Sequence, residues 1–76
     1  MRKQTVVYDS ALDALLAVTK RLSICEDRYR MSSEDFFDRF SKGEMDDRVD
    51  FVEWANNYRH YLEIRSEVER QLKHVA

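Results

Sequence analysis

The chain has 76 residues, with 13 basic and 15 acidic side chains, two histidines and a formal net charge of −2. A domain this short buries only about 60–65% of its unfolded surface, so its own core is thin and a partner surface is the expected supplement. One cysteine excludes an intramolecular disulfide, no Cys/His spacing suits structural zinc, and the slight negative charge gives no general attraction to nucleic acid or anionic membrane.

Met1-Arg2-Lys3 opens the chain without an apolar core of signal-peptide length. The longest apolar run, Ala14 to Val18, is too short to span a bilayer. A reducing cytoplasm is the expected location. Residues 2–8, Arg-Lys-Gln-Thr-Val-Val-Tyr, hold β-branched neighbours and read as a flexible start or a short strand.

Tyr8, Leu12, Leu15, Val18, Leu22, Cys25 and Tyr29 then recur three and four apart, the spacing of one buried helical face. This pattern predicts a helix over about 10–29, capped by Asp9 or Ser10, with Leu16 widening its apolar stripe. Lone Cys25 falls on the stripe, where a thiol behaves as a small hydrophobe. No proline interrupts this pattern or any other in the chain.

A second, short helix is expected over about 33–42. Ser32 or Ser33 heads it, Glu34 and Asp35 sit in its first turn where the helix dipole favours negative charge, Phe36 and Phe40 lie one turn apart with Phe37 beside them, and Gly43 ends it. A third helix is expected over about 47–73, capped by Asp46 or Asp47. Its stripe is Phe51, Trp54/Ala55, Tyr58, Tyr61/Leu62, Val68 and Leu72, with Arg65 as an interruption. The stripe is broad and aromatic up to Leu62 and narrow and aliphatic beyond Arg65. The first half is therefore expected to be covered by two elements and the second by one.

Charge is unevenly spread. Residues 1–30 carry six basic and four acidic groups, 34–53 carry three and eight, and 54–76 carry four and three. Only the middle is strongly negative. Its run Glu44, Asp46, Asp47, Asp50, Glu53 has carboxylates at helical spacing, yet Gly43 precedes it and the ligand order of a calcium loop is missing. Helix capping and dipole compensation account for these acids. His60-x-x-Glu63 reverses the Glu-x-x-His element of di-iron bundles, and His60 reads as a solvent-facing side chain, as does His74 near the helix end. Ser32, Ser33 and Cys25 have no base and orienting group to activate them, and a single glycine cannot build a phosphate cradle. No catalytic, cofactor or metal residues are expected, and the chain is expected not to be an enzyme.

Two macromolecular readings stay open at the level of residues. Lys3-Gln-Thr-Val-Val-Tyr-Asp before a helix is similar to the opening of ribbon-helix-helix repressors, in which Arg2, Lys3 and Gln4 would reach DNA from paired strands. The long span from Leu22 to Ser32 and the acidic middle count against it. The aromatic set Phe36, Phe37, Phe40, Phe51, Trp54, Tyr58 and Tyr61 is large for three helices to cover, and it reads either as core alone or as core with part of its surface meeting another chain.

The stretch from Met31 to Tyr58 resembles a family of small bacterial helical proteins whose pattern is S-x-E-x-F-x-x-x-F-x-x-G-E-x-x-D-x-x-D-F-x-E-W. Ser32, Glu34, Phe36, Phe40, Gly43, Glu44, Asp47, Asp50, Phe51, Glu53 and Trp54 fit it. The likeness covers the last two thirds of the chain and reaches the first helix only generally. Several proteins of this type look like antitoxins. The resemblance implies a non-enzymatic, antitoxin-like role in which Asp46, Asp47, Asp50 and Glu53 supply charge to a basic cleft on a small toxin from a neighbouring gene, with Phe37, Trp54 and Tyr58 as anchors. The expected architecture is one all-α domain over 1–76, two long antiparallel helices and a short middle one, pairing as a homodimeric helical bundle. That homodimer is also the alternative function, and DNA and membrane are not expected partners.

Overall fold

A computed structural model describes the backbone over residues 2–75 and the side chains over 11–73. The chain is all-helical, with α1 over Arg2–Tyr29, α2 over Ser33–Ser41 and α3 over Val49–Val75. No strand occurs among the described residues. The strand read over 2–8 is therefore corrected: these residues extend α1 by two turns, and Asp9 and Ser10 lie inside it instead of capping it. With no proline or glycine before Gly43, nothing local halts a helix that the downstream stripe has already nucleated. The side chains of Arg2, Lys3, Gln4, Tyr8 and His74 lie outside the described residues.

The ends of α1 and α2 have identifiable causes. α1 stops where Arg30 adopts φ 56°, letting the Met31 N–H reach back to the Glu26 carbonyl at 3.3 Å. α2 stops in the same way at Gly43, φ 77°, where the Glu44 N–H donates to the Arg39 carbonyl at 2.9 Å and the Gly43 N–H to that of Phe40 at 3.1 Å. α3 begins at Val49, two residues later than expected. Asp46 does not cap it; its carboxylate accepts the Arg48 N–H at 3.1 Å in the turn before the helix, and Asp47 bonds no amide of the first turn.

The core has two parts. Leu22, Phe36, Phe51, Trp54 and Ala55 form the larger, with Tyr29, Met31, Phe37, Phe40 and Tyr58 packed around them; Val18, Ile64 and Val68 form the smaller, and Tyr61 touches both. Tyr29 at the end of α1 meets Phe51 at the start of α3, while Val18 in mid-α1 meets Ile64 and Val68 far along α3. α2 lies over the first part only. Two elements thus cover the aromatic half of α3 and one covers the aliphatic half, as the stripe implies. Ile64 carries the stripe past Arg65, which is exposed with its guanidinium over the Tyr61 ring at 5.5 Å. Leu16 and Leu72, both read as core, are instead 62% and 56% exposed.

The molecule is long for its mass. It measures 46 × 20 × 18 Å, with a radius of gyration of 14.7 Å where a globule of this length has roughly 11 Å. No helix among the described residues is long and apolar enough to cross a membrane.

Candidate protein-binding site

The acidic region is held in place from the aromatic core outward. Ser32, with φ −70° and ψ 153°, caps α2 by accepting the Asp35 N–H at 3.1 Å, and Glu26 of α1 accepts the neighbouring Ser33 N–H at 3.0 Å. These two bonds pin the start of α2 against α1. Phe36 then stacks on Trp54 with ring centroids 3.9 Å apart and planes 2° from parallel, and Tyr29 stacks on Trp54 at 5.6 Å. The Trp54 indole N–H is satisfied by the buried Ser33 hydroxyl at 2.8 Å. Trp54 is 0% exposed. It is corrected from partner anchor to core, because the cluster large enough to suggest an interface closes over its largest ring.

Two of the acids are engaged within the chain. Asp50 Oδ2 accepts the Tyr29 hydroxyl at 2.9 Å and Arg28 Nη1 at 3.4 Å, so it fastens the first turn of α3 to the last turn of α1. Both Asp46 oxygens accept from the Arg48 guanidinium at 3.1 Å. The Arg48 side chain and backbone bonds hold the Asp46 carboxyl below its ordinary value, and the same pairing raises Arg48, whose guanidinium lies 4.6 Å from the Phe51 ring centre. Glu44, Asp47 and Glu53 are exposed and make no ion pair among the described residues.

Beside the free acids stand two apolar side chains that the stripe argument passes over. Val49, 69% exposed, and Val52, also exposed, share the outer face of α3 with Glu53 at three- and four-residue spacing. Their signal in the sequence is that they fall off the core stripe yet are aliphatic. Phe37 and Tyr58 are brought together, rings 5.1 Å apart, half-buried along the seam of α2 and α3, with Arg59 over Phe37 at 5.2 Å. Burial and the nearby Glu34 push the Tyr58 hydroxyl above its ordinary value.

Cys25 lines a small cleft of about 180 Å³ with Arg28, Asp50, Glu53 and Trp54. Burial pushes its thiol up, away from the thiolate that nucleophilic chemistry needs. No grouping of three or more His, Cys, Asp and Glu side chains among the described residues could hold a metal ion. Compared with known proteins, the chain matches no family model, no curated protein and no solved structure.

Proposed function

We propose that this is a cytoplasmic, non-enzymatic protein-binding module, antitoxin-like, built on an antiparallel pairing of its two long helices. The acidic end docks on a basic protein surface such as the cleft of a small toxin. The observation that carries this reading is the sequence proximity of uncompensated carboxylates, Asp47 in the turn before α3 and Glu53 in its first turns, to the exposed aliphatic pair Val49 and Val52 at the start of that helix. Charge steers and selects, while apolar area supplies contact. Asp46 and Asp50 act differently. Their carboxylates already hold Arg48, Arg28 and Tyr29, and they shape the site while adding to its field. Phe37 and Tyr58 form the flanking aromatic surface, and the two valines take the anchoring place that Trp54 cannot fill.

The test is co-expression with the product of the adjacent gene, followed by size-exclusion chromatography and titration of the purified partners. A complex is expected, and Asp47→Lys with Glu53→Lys is expected to weaken it about tenfold at low salt, with a smaller loss at high salt. If the two chains elute separately, the reading falls.

Pairing of two copies as a helical bundle is a second reading. It is favoured by the exposed leucines of the half of the molecule that α2 leaves open.

A further inference from the structure

A cleft of about 360 Å³ opens where α2 begins, between α1 and α3. Its two ends carry opposite charge. At one end stand Glu26 and Glu34: Glu26 accepts the Ser33 N–H with one carboxylate oxygen, and Glu34 is near enough to Tyr58 to act on its phenol. Neither acid makes an ion pair among the described residues. At the other end is Arg65, about 10 Å of helix rise beyond Tyr58. Its guanidinium stands over the Tyr61 ring at 5.5 Å and meets Glu69 only loosely, Nε to carboxylate at 3.9 Å, so its terminal nitrogens can take another carboxylate. Tyr58 and Tyr61, with rings 5.8 Å apart and 24° from parallel, make the wall between the two ends. Ser33 lines the same cleft and is 3% exposed. Its oxygen accepts the Trp54 indole N–H, while its own hydroxyl proton has no acceptor among the described residues. Buried donors are seldom left so, and the cleft is the side from which an acceptor reaches this one.

We propose that this cleft binds a basic α-amino acid through its free carboxylate and its cationic side chain. The carboxylate pairs with the Arg65 fork and offers Ser33 the acceptor it lacks; the guanidinium or ammonium turns toward Glu26 and Glu34, and the alkyl stem lies along the tyrosine wall. Arginine and lysine carry their charged groups at opposite ends of a flexible stem, as the cleft carries the complementary charges. The charge set selects this class. An inorganic anion would find the start of α2 already held by Glu26 and would face Glu34 as well. A diamine would leave Arg65 unanswered, and an uncharged sugar would leave all three charges so. The volume lies at the small end of the range for small-molecule pockets. This site is separate from Asp47 and Glu53, and it stands whether or not those acids bind a protein.

Backbone amide chemical shifts of the full chain, titrated with L-arginine at low ionic strength, test the proposal. Shifts should gather on 23–26, 33–34 and 58–65, with a dissociation constant on the order of 1 mM, the strength a ligand of that size reaches. Agmatine, which lacks the carboxylate, and L-citrulline, which lacks the side-chain charge, should each bind about tenfold more weakly. L-Glutamate should not bind. Arg65→Gln should erase the difference between L-arginine and agmatine, and Glu34→Gln should narrow that between L-arginine and L-citrulline. Both side chains are exposed, so circular dichroism of each variant should match the wild type. Nα-acetyl-L-arginine stands in for the C-terminal residue of a polypeptide and separates two sources of the same chemistry. Equal affinity supports the proposal with a chain end as ligand, and a loss of about tenfold supports it with the free amino acid. Absence of shifts at about 20 mM L-arginine, an equal response of the wild type to agmatine, or shifts centred on Asp47 and Glu53 would each overturn it, the last because it reports only the general attraction of a cation to the acidic end.

Discussion

Trp54 donates its indole N–H to Ser33 Oγ at 2.8 Å inside a cluster where neither side chain meets water. A buried donor left without an acceptor costs about 1–3 kcal/mol, more than the bond is worth in net terms, because the desolvation is not recovered. Ser33→Ala should therefore lower stability by about that amount and the melting temperature by at least about 4 °C. Trp54→Phe alone loses the same bond and leaves a void beside Phe36. In the double variant the orphaned donor is gone, so the two losses should fall short of additive by at least about 0.5 kcal/mol, measured by denaturant titration of all four proteins. Additive losses would mean that the bond contributes nothing specific. The result matters for the site, because the Ser33–Trp54 bond ties the start of α2 to α3, whose first turn carries Val49.

At the scale of elements, the two left-handed residues that end α1 and α2 are chemically unequal. Gly43 adopts φ 77° without strain and a Cβ there would meet nothing within 4 Å, so Gly43→Ala reports backbone strain alone. Arg30 adopts φ 56° with a side chain, at a cost of about 1–2 kcal/mol. Arg30→Gly should accordingly stabilise the chain by about 0.5–1 kcal/mol after the added freedom of the unfolded state is subtracted, while Gly43→Ala should destabilise it by about 1 kcal/mol. Thermal melts of the two variants check both signs. These ends also explain what was legible in the sequence. Gly43 announces a stop, and α2 falls within a residue of its expected range; the end of α1 is legible from the stripe stopping at Tyr29, although nothing about Arg30 signals a left-handed residue. The starts were harder. Asp9, Ser10, Asp46 and Asp47 all have capping chemistry, yet capping is a weak local preference, and what fixed the boundaries was the absence of any breaker upstream in one case and the Asp46–Arg48 turn in the other. In the candidate site the acids were visible as a charge run. Which of them are already spent on Arg28, Tyr29 and Arg48 depends on contacts across more than 20 residues of chain for Asp50, and no local pattern encodes those.

The whole molecule divides into a half closed by three helices and stacked aromatics and a half where only two helices meet over Val18, Ile64 and Val68. Local opening free energies follow how much apolar surface each segment buries. Backbone amides of 22–29, 34–40 and 51–58 should exchange slowly with solvent, near the global unfolding limit, and those of 11–18 and 64–73 should exchange faster in the single chain. A second copy that covered the open half would change only the latter set, since binding to the folded state stabilises by mass action what it covers. Raising the protein concentration from about 1 to about 100 µM should therefore slow exchange over 11–18 and 64–73 in the wild type and leave it unchanged in Leu16→Glu. With a dissociation constant near the lower concentration, that series lowers the monomer fraction from about one half to about 7%, which is about 1.2 kcal/mol of added protection and a factor of about 7 in exchange rate. Uniform protection across both halves at the lowest concentration would mean that the chain is one cooperative unit by itself. The acidic end would then be presented by a self-sufficient monomer, whereas protection that appears only with concentration makes the display of the binding end depend on assembly at the other.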